Sequence, residues 1–350
     1  MSISALDKVR DRNIPLNALI ELTHRCNLRC CHCYLPADRS LEELHTCQFK
    51  EVLDQLADAG TLFITFSGGE VFLRDDFFEI ATYAREKNFA ISILTNGTLI
   101  DEWVADRIES LHPLSVEISI YGADCNLHDG ITGVPDSFDK SINAIRFLKE
   151  RNIEIEIKTS LMKQNVDRYE EIISLADRLK VKYEFNPGIS PKLDGSRIPL
   201  AYRIDEHELL KIFSDQLLNP VTIETDEEKY HRLDQDELIM CGAGRTTCVI
   251  SPSGDIFPCI VLRIPIGNIS KQPFSEVWHS FEAEKIRDMN YCDLKICNQC
   301  ELLAYCERCP GIALLEDGDI FGPARFFCKI AEVRRSINEG RLVRINQERR

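Results

Sequence analysis

The chain has 350 residues with a formal net charge of −15; 44% are hydrophobic and 15 are cysteine. This length suffices for one large domain and a smaller one. The negative charge speaks against nucleic acid as a partner, because attraction to phosphate needs a basic surface. The polar N-terminus and the lack of an apolar run of roughly 20 residues speak against secretion and a membrane span.

A cytoplasmic location is therefore expected. Disulfides are rare in that reducing compartment. Fifteen cysteines under such conditions indicate metal or redox chemistry.

Short β-rich runs alternate with helix-like periodicity over the first two thirds of the chain. The predicted strands are 16–22, 61–67, 89–95, 115–121, 153–159 and 182–186. The predicted helices are 46–59, 75–87, 101–110, 137–151, 166–179 and 206–217. Six βα units in a row predict an α/β fold, a parallel sheet with outer helices.

The pattern changes after about residue 220. An acidic connector at 221–240 leads to nine cysteines within 241–350, and "TTCVISPSGDIFPCIV" predicts a hairpin that turns at residues 253–255. The predicted domains are an N-terminal segment, a core, the connector and a small cysteine-rich domain. Their bounds are 1–14, 15–220, 221–240 and 241–350.

Unusual residues follow the ends of the first four predicted strands. The cysteine loop follows the first strand, 68–70 the second, 96–97 the third, and 121–122 close the fourth. Barrel enzymes build their active sites from the loops at this edge. We therefore expect these residues to meet at one mouth.

The first of these loops, "CNLRCCHCY" at 26–34, holds four cysteines, of which Cys26, Cys30 and Cys33 have the spacing C-x3-C-x2-C. A zinc site needs four ligands, usually two from one loop and two from another, and the N-terminal half offers no obvious second pair of ligands. A structural zinc knuckle is the alternative for this loop. A four-iron cluster takes one thiolate per iron, so three cysteines leave one iron open. Cys31 is expected to be a bystander, or else a reactive thiol beside the cluster.

This loop resembles the signature of the radical S-adenosylmethionine (SAM) superfamily. "SGGE" at 67–70, "TNG" at 95–97 and "SIYG" at 119–122 resemble its later motifs. The resemblance implies a partial (β/α)6 TIM-like barrel, with a SAM-binding [4Fe–4S] cluster on the three cysteines. It implies that SAM is cleaved reductively to a radical that abstracts hydrogen from the substrate. The implied SAM-binding residues are His32, Gly68, Gly69, Glu70, Asn96 and Ser119.

The C-terminal cysteines resemble the SPASM extension of this superfamily, which binds two auxiliary [4Fe–4S] clusters. Cys309 departs from the family spacing, since it follows Cys306 after two residues instead of three. The implied ligands of the first auxiliary cluster are Cys241, Cys248, Cys259 and Cys309. Those of the second are Cys297, Cys300, Cys306 and Cys328. A pair of all-cysteine zinc sites is the alternative.

The resemblance implies an oxidoreductase, most often one that acts on a ribosomally synthesised peptide and forms a thioether or carbon–carbon crosslink. The implied partner for electron supply is a flavodoxin- or ferredoxin-type reductant. Many peptide-modifying relatives carry a leader-binding domain before the barrel; because the first strand here begins near residue 16, that module is expected to be a separate protein or to be missing. In sulfatase-activating relatives an Asp directly follows the cysteine that is equivalent to Cys259. Here that residue is Ile260, which counts against sulfatase activation. The alternatives are tetrapyrrole side-chain modification in haem d1 or alternative haem synthesis, and a non-catalytic iron–sulfur electron carrier.

Overall fold

The computed structural model describes residues 5–40, 42–215, 218 and 241–340, with side chains from residue 8. These residues form two compact units. The first joins the chain up to Tyr202 to Gly242–Arg287, and the second joins the chain from Arg203 to Cys241 to that from Asp288 onward. The predicted connector 221–240 lies outside the described residues. Within the described ranges, no helix has the length and apolar character needed to cross a membrane.

A mixed sheet forms the centre of the first unit. Its described strands are β1 (Asn17–Thr23), β2 (Phe63–Gly68), β3 (Ala90–Thr95), β4 (Ser115–Ser119), β5 (Ile155–Ser160), β6 (Lys182–Asn186), β7 (Thr247–Ile250), β8 (Asp255–Phe257) and β9 (Gly267–Asn268). Their order is β6-β5-β4-β3-β2-β1-β7-β8-β9. Strands β1 to β6 run parallel, which confirms the predicted parallel sheet of an unclosed barrel.

Helices lie in the connections between the parallel strands. The described helices are α1 (Ala5–Asp11), α2 (Thr46–Asp58), α3 (Phe77–Glu86), α4 (Glu102–Leu111), α5 (Cys125–Thr132), α6 (Ser137–Glu150), α7 (Tyr169–Leu179), α8 (Glu206–Ser214), α9 (Phe274–Trp278), α10 (Phe281–Arg287), α11 (Pro310–Asp317) and α12 (Arg325–Asn338). The expected helices between strands appear as α2, α3, α4, α6 and α7. The sequence did not predict helix α5, in which Gly130 in the second turn lowers helix propensity.

The two faces of the sheet differ in polarity because successive side chains of a strand alternate. Helix α6 packs on β4 and β5, and Val116, Ile118 and Ile157 of these strands are fully buried. The opposite face, which we call the inner face, carries alternating residues that are partly exposed. On β4 and β5 these are Ser115, Glu117, Ser119, Glu156, Lys158 and Ser160.

The predicted hairpin at 253–255 is confirmed, and it extends the barrel sheet. Strands β7 and β8 pair antiparallel, and Gly254 takes a left-handed backbone (φ +84°) in the turn. Strand β7 pairs in parallel with β1. Because of this pairing, residues 242–287 pack with the first unit, although their composition groups them with the cysteine-rich tail. The predicted domain boundaries follow composition and stay a prediction.

Candidate active site

The cysteine loop after β1 is held in place by backbone hydrogen bonds. The Arg29 amide donates to the Thr132 carbonyl (2.8 Å), and the Cys31 amide donates to the Ile131 carbonyl (3.1 Å). Both acceptors lie at the end of α5. Asp124 caps the N-terminus of that helix, and its Oδ1 accepts a hydrogen bond from the Leu127 amide. Helix α5, which the sequence did not reveal, is therefore one support of the loop.

The three thiols of the predicted triad lie close enough to affect one another. Burial raises the pKa of the Cys30 thiol, and the charges of Cys33 and Cys26 raise it further. Burial also raises the pKa of Cys26, and Glu70 and Cys33 add to this effect. Converging, partly buried thiolates need positive charge beside them, and cluster irons would supply it, so this donor set fits a [4Fe–4S] cluster. Among the described residues, no group of three or more His, Cys, Asp or Glu side chains is arranged to hold a single metal ion.

Cys31, the fourth cysteine of the loop, has contacts of its own. Its Sγ accepts a hydrogen bond from Gln164 Nε2 at 3.7 Å. Together with Cys30 it packs against a buried cluster that includes Tyr121 and Met162. These contacts explain the position of the Cys31 side chain without any bond to a cluster. Its role as a bystander stays a prediction.

The two glycines after β2 allow a close approach to the backbone that follows β1. Gly68 has φ +137°, and a Cβ there would lie 2.2 Å from the Thr23 carbonyl oxygen. A Cβ on Gly69 would lie 2.1 Å from the Arg25 carbonyl oxygen. The Gly69 amide donates to Thr23 (2.7 Å) and the Glu70 amide donates to Arg25 (2.9 Å). Any side chain at Gly68 or Gly69 would push the start of the cysteine loop away.

Glu70 is buried between the ends of β2 and β3. Its Oε1 accepts hydrogen bonds from Thr95 Oγ1 (2.7 Å) and the Phe72 amide (3.3 Å), and its Oε2 accepts one from the Asn96 amide (2.8 Å). Burial raises the pKa of this carboxyl group. A carboxylate has about four acceptor positions, so Oε2 retains capacity for a further donor. Its predicted contact with the methionine ammonium stays a prediction.

Asn96 links the end of β3 to the cysteine loop. Its Nδ2 donates to Asn27 Oδ1 (2.9 Å) and lies within hydrogen-bonding distance of Cys26 Sγ (3.9 Å). Its Oδ1 accepts from the amide and hydroxyl groups of Thr98. Ser119 ends β4 and shares a hydrogen bond with the side chain of Tyr121. The ends of β3 and β4 thus meet the loop at one edge of the sheet.

His32 presents a buried nitrogen without a partner. Its ring packs edge-on against Tyr121, with the centroids 4.6 Å apart. Among the described residues, Nδ1 is buried and has no hydrogen-bond partner. Burial lowers the pKa of His32 to about 4, so the ring is neutral near pH 7. Buried polar atoms are nearly always paired, and this one fits a group of bound SAM as its partner.

Sequence reasoning missed a buried charged network beside the cysteine loop. The Glu21 carboxylate accepts hydrogen bonds from Arg263 Nη1 (2.9 Å), Arg263 Nη2 (2.6 Å) and the Tyr34 hydroxyl (2.9 Å). His24 Nε2 lies 3.4 Å from Glu21 Oε2. Burial raises the pKa of Glu21, but the bonds to His24 and Arg263 outweigh it and lower the pKa to about 2. The one available signal was an acid inside the hydrophobic run "ALIEL".

The predicted ligands of the second auxiliary cluster lie together in the second unit. Burial raises the pKa of Cys306 to about 11, and the charges of Cys328, Cys297 and Cys300 contribute. The pKa of Cys328 is also raised, by burial first and then by Cys297 and Cys300. Four thiols that act on one another in this way fit a fully ligated cluster.

The predicted ligands of the first auxiliary cluster differ in their surroundings. Cys248 lies on β7 and is 1% exposed, and burial raises its pKa to about 12. Cys259 follows β8, is partly exposed, and accepts a hydrogen bond on Sγ from the Leu262 amide (3.2 Å). Cys241 and Cys309 belong to the second unit.

Two family models match the chain. Residues 20–178 match the radical SAM superfamily, and residues 241–310 match the SPASM iron–sulfur cluster-binding domain. Together these ranges cover about two thirds of the chain.

Several characterised proteins are similar over most of their length. The AdoMet-dependent heme synthase of Methanosarcina barkeri is 28% identical over 334 residues, which is 88% of this chain and 94% of that protein. The antilisterial bacteriocin subtilosin biosynthesis protein AlbA of Bacillus subtilis is 28% identical over 318 residues, 85% of this chain and 67% of that protein. The crystal structure of Streptococcus suis SuiB bound to precursor peptide SuiA has a TM-score of 0.66 at 20% identity, over 89% and 76% of the two chains. The last similarity establishes the fold.

Proposed function

We propose that this chain, a radical SAM enzyme with a SPASM iron–sulfur cluster-binding domain, forms thioether or carbon–carbon crosslinks in a ribosomally synthesised peptide. The family models confirm the enzyme class and the cofactors, SAM and [4Fe–4S] clusters, in preference to a non-catalytic electron carrier. When bound, SAM and its cluster supply the radical that removes hydrogen from the substrate. The further partners proposed are a flavodoxin- or ferredoxin-type reductant and a separate leader-binding protein.

The residues of the mouth have distinct proposed tasks. Cys26, Cys30 and Cys33 would hold the SAM-binding cluster. Gly68 and Gly69 let the end of β2 lie against the cysteine loop, and Glu70 would accept the methionine ammonium there. His32, Asn96 and Ser119 would complete the SAM site.

The observation that carries the peptide proposal is the charge on the inner face. Lys158 Nζ lies 3.1 Å from Glu156 Oε2 and 3.4 Å from Glu117 Oε2, and it also pairs with Glu184. Three carboxylates thus surround this ammonium. A second cation, Lys182, is the ladder partner of Glu156 and pairs with Glu154, so four acids and two lysines make up this group and an excess of negative charge remains. Because Lys158 is the ladder partner of Ser119, this group lies beside the proposed SAM site.

A negative inner face suits a peptide better than a tetrapyrrole. Tetrapyrrole intermediates of haem synthesis carry several carboxylates, and these would be repelled by partly buried acids. A peptide presents neutral amides, and its basic side chains would be attracted. The similarity to a bacteriocin biosynthesis protein, and in fold to a protein bound to a precursor peptide, gives further support.

Tetrapyrrole modification is the second candidate. A specific observation favours it, since the similarity to the Methanosarcina barkeri heme synthase spans 94% of that protein. Conversion of a propionate side chain would release carbon dioxide, whereas a thioether or carbon–carbon crosslink removes two hydrogen atoms from a peptide. The two products therefore differ in mass.

The test uses the reconstituted enzyme with SAM and a low-potential reductant. Short peptides encoded beside its gene and carboxylated iron porphyrins are offered in parallel, and products are followed by mass spectrometry. We expect a peptide that has lost two hydrogen atoms per crosslink and an unaltered porphyrin. A decarboxylated porphyrin together with unaltered peptides would overturn the proposal in favour of the second candidate.

A further inference from the structure

Arg39 donates a hydrogen bond to a predicted ligand of the SAM-binding cluster. Its Nη2 lies 3.6 Å from Cys33 Sγ, and its Nε donates to the Pro36 carbonyl oxygen (3.3 Å). Burial raises the pKa of the Cys26 thiol, and the Arg39 guanidinium opposes this shift. One cation thus acts on two of the three cysteines of the triad.

The charge of Arg39 is not neutralised by an acid. Across the ranges that the structure describes, no carboxylate lies within ion-pairing distance of its guanidinium. By contrast, Arg25 at the start of the cysteine loop pairs with Glu43 (3.6 Å). The Arg39 side chain is only partly exposed, and partly buried charges are screened less by salt than exposed ones. Its positive charge is therefore available to the cysteine loop.

The segment that carries Arg39 is tied to a turn that follows β6. The Leu193 amide donates to the Tyr34 carbonyl oxygen (2.8 Å), and Asp194 Oδ2 accepts a hydrogen bond from the Ala37 amide (3.2 Å). Charges and donors that are already in place need no reorganisation when charge develops beside them. The guanidinium is held in this way.

Reduction adds one negative charge to an iron–sulfur cluster. Net charge and hydrogen bonds to the sulfurs are two of the features that set the reduction potential of such a cluster. A fixed cation and a donor at a ligand sulfur both stabilise the more negative, reduced form. Arg39 offers both at Cys33, so its loss should make the cluster harder to reduce.

We propose that Arg39 raises the reduction potential of the SAM-binding cluster, so that a low-potential donor of flavodoxin or ferredoxin type can reduce it. In this step the donor loses one electron and the cluster gains it, and no bond is made or broken. The inference rests on the SAM-binding cluster, whose predicted ligands all lie in the first unit. It is independent of the substrate.

The experiment measures the reduction potential of the SAM-binding cluster in the reconstituted full chain without SAM. Redox titrations are followed by electron paramagnetic resonance, and the signal that disappears when Cys26, Cys30 and Cys33 are changed to Ala identifies this cluster. We expect Arg39→Met to make reduction at least tenfold less favourable, a shift of about 59 mV or more toward negative potential. Arg39→Lys keeps the charge and should recover most of this shift.

Two controls separate tuning from structure. Arg146→Met removes the same charge from an exposed position on α6 and should leave the potential unchanged. Iron analysis should give about twelve irons per chain in every variant. If Arg39→Met does not hold the SAM-binding cluster, Arg39→Gln replaces it with the same expectation, since it keeps an N–H donor without the charge. Equal shifts in Arg39→Lys and in the uncharged variant would overturn the proposal, because the cation would not be responsible.

A second measurement distinguishes the cluster from SAM as the group that Arg39 serves. SAM carries a carboxylate, which a guanidinium could bind, so the Kd for SAM is measured on the oxidised proteins. We expect it to stay within about twofold of the wild-type value. An unchanged potential would overturn the proposal, and if the Kd then rose about tenfold or more, Arg39 would belong to the SAM site instead.

Discussion

At the scale of single residues, the site depends on a glycine that cannot be replaced. Changing Gly69 to Ala would place a Cβ 2.1 Å from the Arg25 carbonyl, and that backbone leads directly into the cysteine loop. We expect Gly69→Ala to lose the SAM-binding cluster and keep the auxiliary ones, so that iron falls from about twelve to about eight per chain. Iron analysis and 5′-deoxyadenosine release measure this.

Gly130→Ala is the matched control. A Cβ at Gly130 meets nothing within 4 Å, and alanine in a helix is favoured over glycine by about 0.5–1 kcal/mol. This variant should keep full iron and SAM cleavage. Wild-type iron and cleavage in Gly69→Ala as well would show that the close approach of the two chain segments is not needed.

Glu70 calls for a substitution that separates charge from structure. Glu70→Ala would leave the Thr95 hydroxyl and the Asn96 amide without their acceptor, at a cost of about 1–3 kcal/mol in stability. Glu70→Gln keeps an oxygen for the Asn96 amide, and its NH2 can donate to Thr95, since a hydroxyl also accepts. Only the long hydrogen bond from the Phe72 amide (3.3 Å) loses its acceptor. We expect Glu70→Gln to raise the Kd for SAM by about tenfold with little change in Tm. Unchanged affinity would remove this carboxylate from the SAM site.

At the scale of elements, the Glu21–Arg263 pair fastens the segment between β8 and β9 to β1. The pKa of Glu21 is lowered from the usual glutamate value of 4.5 to about 2. The ion pair therefore stabilises the fold fully above pH 4.5, and this stabilisation is lost as the pH falls toward 2. Arg263→Met would leave a buried carboxylate without its cation. We expect a loss of about 3–5 kcal/mol in stability at pH 7.

The double variant Glu21→Gln/Arg263→Met is the control, because it removes both charges. Thermal unfolding of the iron-loaded proteins at pH 7 should place the double variant above Arg263→Met. If Arg263→Met alone unfolds like the wild type, the pair does not stabilise the segment.

The elements differ in how far the sequence could predict them. The six βα units were recognisable because strand and helix periods alternate locally, and polar strand ends located Glu70 and Asn96. The parallel pairing of β7 with β1 joins residues far apart in sequence, and no local pattern specifies such a pairing. The same holds for the Glu21–Arg263 pair. Cysteine spacing alone could not show that Cys248 is buried, since the face to which a strand residue points depends on the ladder register.

At the scale of the whole molecule, the predicted ligands of the SAM-binding cluster and those of the second auxiliary cluster lie in different units. The residues proposed to bind SAM all precede Tyr202 and lie in the first unit, whereas Cys300 and Cys306 lie in the second. Cys300→Ala/Cys306→Ala should remove the second auxiliary cluster and leave about eight irons per chain. Uncoupled release of 5′-deoxyadenosine should persist, while modified product should fall severely because the electron left on the substrate loses an acceptor.

Circular dichroism on this double variant separates lost electron transfer from lost folding, since metal binding is coupled to folding. Product formed at the wild-type rate by a folded variant with two clusters would show that the second auxiliary cluster is dispensable for turnover.

The exchange of chain between the units determines where this protein could be divided. A break near residue 220, where composition changes, would separate β1 from β7 and turn β1 into an unpaired edge strand, a template for aggregation. A minimal SAM-cleaving fragment would instead need residues 242–287 retained alongside the first 202. Recombination between relatives would meet the same constraint: exchanging everything after residue 220 would replace a strand of the recipient's own barrel.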